Sequence, residues 1–264
     1  MTTSNAKSKK RSSVIAILLS AALIITGAYA FLTATTATKV NNFTVGNIKV
    51  ELDEGPWEEY PDIDADGIPD AAEEIVSGQI LNKAPSIKNA GANDAYGFIL
   101  VSVPKAESAV IAALDGTVAR DENGEPIPTE NVELFELLNS NGENILADET
   151  DLGKWSVVDI TAELAARENA EKDSYNHYLF AYSDIIAGSA SDDDTLTNQT
   201  SELFSKVRFA NVTENFAEDT APTLVVNVSC YAIQVDKSFT SVNDAWNALS
   251  EDQNFEIPEV VPYA

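Results

Sequence analysis

The residues best able to do chemistry crowd together in Asp62–Glu73, which reads DIDADGIPDAAE. Counted from Asp62, acids fall at positions one, three, five, nine and twelve, with Gly67 at six. This is the spacing of a twelve-residue calcium loop. Alternate carboxylates converge as the backbone wraps round an ion, glycine permits the sharp turn, and the last Glu closes the shell with both oxygens. The pattern assigns Asp62, Asp64 and Asp66 as side-chain ligands and Ile68 through its carbonyl. Asp70 acts directly or through water, and Glu73 is bidentate. A donor set made only of oxygen favours Ca2+ over zinc or copper. Pro69 at position eight is a departure, because paired EF-hand loops join through backbone groups there and proline has no donor. The expected form is a solitary extracellular calcium loop, with an affinity in about the micromolar to millimolar range. A merely acidic surface turn is the plainer alternative.

Nothing in that loop points to catalysis. An oxygen-only shell is normally full, whereas a hydrolytic metal site needs an open position and usually histidine. The single histidine, His177 in YNHYLF, has no HExxH spacing around it and reads as a structural residue on a strand. Cys230 falls on the apolar face of its strand, where a buried, inert thiol is expected. No glycine-rich phosphate loop is present. The sequence therefore assigns no catalytic residue and no cofactor besides calcium.

The chain opens as an export signal. Lys7, Lys9, Lys10 and Arg11 precede the apolar run Val14–Ile25 and the small-residue site Ala28-Tyr29-Ala30. Cleavage is expected after Ala30, with TATTAT a few residues later as the fallback. The apolar run is short for a bilayer span, so no stable membrane span is expected after cleavage. Removing residues 1–30 leaves 12 basic against 43 acidic residues, a formal charge of −31 over 234 residues. Such a surface repels nucleic acid and anionic lipid and attracts divalent cations. With one cysteine, no internal disulfide can form.

The elements that must position the loop read mainly as strands. Phe31–Asn42, FLTATTATKVNN, carries no core pattern. Phe43–Leu52 alternates at Val45, Ile48, Val50 and Leu52. Pro56, Trp57 and Pro61 forbid a long helix ahead of the acidic loop. Ala95–Val103 is apolar on both faces, as for a strand central to a sandwich. Val110–Leu114, Lys154–Ile160, Tyr175–Tyr182 and Pro222–Val235 read as further strands, the last with Leu224, Val226, Val228, Cys230 and Ala232 on one face. Asn-Gly pairs in Asp121–Pro128 and Asn139–Asn144 mark hairpin turns. Thr161–Lys172 is expected to be helical with Thr161 as cap, and Ser241–Leu249 to be a short helix with a Ser cap. Ser201–Val207 fits either helix or strand. Many short strands with a few short helices in the connections predict an all-β, jelly-roll-like β-sandwich over residues 43–264.

Several short motifs, in order along the chain, carry a family resemblance. Phe43-Thr44-Val45-Gly46-Asn47-Ile48 is followed by Trp57, then Gly78-Gln79, Lys83, Pro85, Asn89, Gly91 and Asn93-Asp94-Ala95-Tyr96. Gly153-Lys154-Trp155, the aromatic strand ending at Tyr182, Leu203-Phe204, and Tyr231-Ala232-Ile233-Gln234 before Trp246 complete the set. Together these resemble the TasA/camelysin family of exported proteins of Gram-positive bacteria. Two departures are visible. Ala84 replaces the acid expected after Lys83, and the calcium loop is an insertion between Trp57 and Gly78.

The resemblance implies a jelly-roll domain, processing by a dedicated signal peptidase, secretion, and a place in fibres of the extracellular biofilm matrix. It also implies self-assembly in which an N-terminal strand of one subunit completes the sheet of the next. Phe31–Val50, β-prone and poor in charge, suits that role, and an ordinary first strand folding back on its own domain suits it equally. The reading is an exported structural subunit at the cell surface or in the matrix, partnered by copies of itself. A camelysin-like metallo-endopeptidase and a monomeric adhesin are the alternatives. Asn-X-Ser/Thr sites occur at Asn42, Asn198, Asn211 and Asn227.

Overall fold

Alternation along one long strand organises the molecule into two cores. The computed structural model describes residues 48–63, 69–72, 76, 78–110, 120–125, 129–147, 152–166, 174–213, 226–251, 255 and 257. The expected signal sequence (1–30), the candidate donor segment (31–42) and residues 43–47 lie outside them.

The strands are β1 (Val50–Asp53), β2 (Ile80–Asn82), β3 (Ser86–Asn89), β4 (Ala95–Val110), β5 (Thr129–Glu133), β6 (Phe135–Leu138), β7 (Trp155–Val158), β8 (Tyr175–Tyr182), β9 (Lys206–Phe209), β10 (Val212–Thr213) and β11 (Asn227–Gln234). Two helices, α1 (Thr161–Ala165) and α2 (Val242–Glu251), and two 3-10 turns, Gly55–Glu59 and Asp70–Ala72, sit in the connections. Every strand pair is antiparallel. The fold is the expected all-β, sandwich-like one.

β4 is the axis. Its first half lies between β11 and β8, and β7 continues the sheet beyond β8. Its second half pairs with β5, through a register shift between Ala106 and Ser108, and with β10. Two smaller sheets, β1-β3 and β2-β9-β6, complete the fold.

Successive side chains of a strand point to opposite faces. From one face of the main sheet Ile99, Val101, Val103, Phe180, Tyr182, Val228, Cys230 and Ala232 join Val50, Leu52, Leu81, Ile87, Leu137 and Val207 of the smaller sheets. From the other, Tyr96, Phe98, Leu100, Leu179, Ala181 and Tyr231 meet Ala245, Trp246 and Leu249 of α2. This two-sided burial explains why Ala95–Val103 is apolar throughout. Phe98 and Trp246, with ring centroids 5.8 Å apart, anchor the helix to the sheet.

The sequence reading and the structure differ in instructive places. β2, β3, β5 and β6 are not among the strands expected from the sequence: they are short, and β3, β5 and β6 hold polar residues, such as Asn89, Glu133 and Glu136, whose partners come from neighbouring segments. The helix expected over Thr161–Lys172 with Thr161 as cap has Thr161 as its first residue and Ile160 at its cap position, and positions 167–172 lie outside the described residues. Asp159 Oδ1 accepts from both Thr161 N (2.9 Å) and Thr161 Oγ1 (2.6 Å), so Asp159 replaces Thr161 as the residue holding that end. The Ser cap of α2 is as expected. Ser241 Oγ accepts from Asp244 N at 3.3 Å, and Asp244 Oδ2 accepts from Ser241 N at 3.1 Å.

Candidate metal site and its supports

Proline dictates how the chain enters the acidic loop. Pro56 sits in the first turn of the Gly55–Glu59 3-10 segment, which ends at Tyr60 in an extended conformation. Trp57 and Tyr60 pack on the main core and meet edge to face, with centroids 5.9 Å apart. Tyr60 Oη accepts from Asn82 N at 3.0 Å, which fastens this limb to β2.

A buried ion pair lies underneath. Lys83 Nζ is 2.5 Å from Glu54 Oε1, their side chains 6% and 17% exposed, and the amine lies 4.4 Å from the Trp57 ring centroid. Desolvation pushes the Lys83 pKa down, against the opposing charge of Glu54 and then Glu58. The carboxylate partner of Lys83 therefore comes from Glu54, before the loop, where the resemblance places an acid at position 84. Ala84 is instead packed against Gly55, whose φ of +57° puts any Cβ 3.2 Å from Ala84 Cβ.

The loop is shut at its neck. Asp70 N donates to Pro61 O, and Ile63 N donates to Asp70 Oδ1, both at 2.9 Å. Asp62 and Asp70, the first and ninth positions of the expected calcium loop, are thus brought to one opening. Asp64, Asp66, Ile68 and Glu73 lie outside the described residues. Among the described residues no group of three or more His, Cys, Asp or Glu is placed to hold a metal ion.

The returning limb is fastened by a residue that the calcium pattern does not predict. Gln79 Nε2 donates to Ala71 O, and Gln79 Oε1 accepts from Val76 N, both at 3.0 Å. Its backbone carbonyl accepts from Phe209 N at 2.9 Å. Both limbs of the loop are therefore hydrogen-bonded to β2 or its approach. The Gly78-Gln79 motif was the available signal for this clamp.

A second motif has an equally local explanation. Asn89, 3% exposed, donates through Nδ2 to Asn93 O (2.8 Å) and Ile186 O (3.1 Å), and its Oδ1 accepts from Gly91 N at 2.9 Å. Asp94 accepts from Gly188 N at 2.8 Å and from Ser191 Oγ at 3.2 Å. Asn89, Gly91, Asn93 and Asp94 thus staple the β3–β4 turn to the chain after β8.

His177 and Cys230 lie inside the fold. Asn227, Ser102 and His177 stand directly opposite one another on β11, β4 and β8. Ser102 Oγ lies 2.7 Å from His177 Nδ1, and these residues are 1% and 8% exposed. A serine and histidine at this distance can share a proton, but burial leaves no room for a substrate between them and the solvent. Asn227 is partly buried, and its Oδ1 is buried with no hydrogen-bond partner among the described residues. Burial pushes the Cys230 thiol up to about 12, which keeps it protonated and inert. No helix among the described residues is long and apolar enough to cross a membrane.

No family model matches the chain. No curated protein and no solved structure matches it either.

Proposed function

We propose that this chain is an exported structural subunit of extracellular matrix or surface fibres. Calcium bound in the 62–73 loop stiffens the connection after β1, and subunits join by donating the segment before β1 to a neighbour's sheet. The observation that carries this reading is the architecture of the sheets. β7 and β2 are short outer strands of their sheets, each paired on one side only among the described residues. Val157 on β7 and Ile80 on β2 are exposed aliphatic side chains at these edges. Unpaired strand edges accept further strands.

Two further features support it. The motifs that resemble fibre proteins of the TasA/camelysin family fall on residues with clear structural work, at the Gln79 clamp, the Lys83 ion pair and the Asn89–Asp94 staple. The closed neck between Pro61 and Asp70 suits a loop that wraps an ion, since it fixes where the wrapping starts and ends.

Electron microscopy of the mature protein, with and without residues 31–42 and with calcium or chelator, tests the reading. Fibres only from the longer form are expected. Fibres from both forms would remove strand donation, and fibres from neither would favour a monomeric adhesin.

A further inference from the structure

With one cysteine, this chain has no internal disulfide to fasten it outside the cell. The amine and carboxyl at the base of the acidic loop offer a different fastening. Lys83 Nζ and Glu54 Oε1 are 2.5 Å apart, with the Trp57 ring beside the amine. Backbone bonds hold both residues in place: Ala84 N donates to Glu54 O at 3.1 Å, and Lys83 N donates to Ser205 O at 3.2 Å. Reactants held at contact have already lost the freedom that an intermolecular reaction must remove.

Burial separates this pair from the other lysine–carboxylate contacts among the described residues. Lys49–Glu51 and Lys154–Asp184 are equally close, at 2.6 Å, but their side chains are 43% to 59% exposed. Water solvates those ions and favours keeping them separate. At Lys83 desolvation works against the ammonium form, and a desolvated lysine is a nucleophile.

We propose that Lys83 and Glu54 condense to an intramolecular amide bond. One proton passes from Nζ to Oε1 across the 2.5 Å contact, giving an amine and a carboxylic acid without change in net charge. The Nζ lone pair then attacks Glu54 Cδ. Collapse of the tetrahedral adduct breaks the bond from Cδ to the hydroxyl oxygen. As that bond breaks, a second proton passes from Nζ to the departing hydroxyl, which leaves as water. One water departs for each bond made, and no oxidant or co-reactant is needed. The new bond closes residues 55–82 into a covalent ring that contains both limbs of the acidic loop. Such a ring restricts the unfolded chain as a disulfide would. This goes beyond the fibre reading and does not depend on it.

Intact mass of the purified mature protein, measured after denaturation, tests the bond. The wild type is expected one water lighter than its sequence. Lys83→Arg, which keeps the charge but cannot form this amide, is expected at full mass. Proteolysis of the wild type should release a branched peptide joining the segments around residues 54 and 83. A wild type at full sequence mass overturns the proposal, whatever the variants do. So does a deficit that persists in Lys83→Arg, because succinimide formation at Asp66-Gly67 or Asp115-Gly116 also releases one water.

Discussion

Gly188 N donates to Asp94 Oδ1 at 2.8 Å, and the glycine lies so close to the turn before β4 that a Cβ there would stand 2.3 Å from Ala92 O. The contact joins the chain after β8 to the start of the central strand, and the atom in the way belongs to the backbone.

Gly188→Ala is therefore expected to destabilise the fold by about 2–3 kcal/mol, since an overpacked buried site relaxes only by moving backbone. The midpoint of urea unfolding measures it. An unchanged midpoint would mean that the two segments do not approach this closely.

The acidic loop predicts a conditional effect. Asp62→Ala or Glu73→Ala should lower Tm in calcium and leave it nearly unchanged in chelator, because a ligand that binds only the folded chain stabilises it by mass action. Thermal melts of each variant in both buffers make the comparison. Equal losses in the two buffers would remove these residues as ligands.

Ser102→Ala removes the 2.7 Å contact with His177 Nδ1 in a buried site. The expected cost is about 0.5–1.5 kcal/mol, the usual net worth of one hydrogen bond. A structural pair also predicts no chelator-sensitive cleavage of casein by the wild type. Cleavage that disappears with both chelator and His177→Ala would replace the structural reading with a peptidase.

Cys230 makes an alkaline prediction. Its folded pKa is raised to about 12 from the ordinary 9.0, so the folded chain keeps a proton that the unfolded chain gives up. The contribution is whole below pH 9 and is lost as pH rises from 9 towards 12. Cys230→Ala should flatten the fall in stability over that window. Native protein should also resist a thiol reagent at neutral pH and react only once unfolded.

Much of this was legible along the chain because it depends on local pattern. The period-two alternation at Val228, Cys230 and Ala232 marked β11, the two-sided apolar run from Ala95 marked the central strand, and Ser241 with Asp244 marked the start of α2. Ahead of the acidic loop the prolines ruled out a long helix, and only a short 3-10 turn stands there.

Other features depend on residues far apart in sequence, and no window along the chain contains them. Glu54 supplies the partner of Lys83 only because β2 returns beside the first 3-10 turn. Gln79 can clamp Ala71 and Val76 only because β9 fixes its backbone. His177 meets Ser102 only through the register of β8 on β4. The sequence by itself determined the all-β class, the charge and the places of β4, β11 and α2, since each follows from residue type and period. Tertiary structure alone decided which polar groups meet, because strand register, set by packing on both faces of the main sheet, brings distant side chains within hydrogen-bond reach.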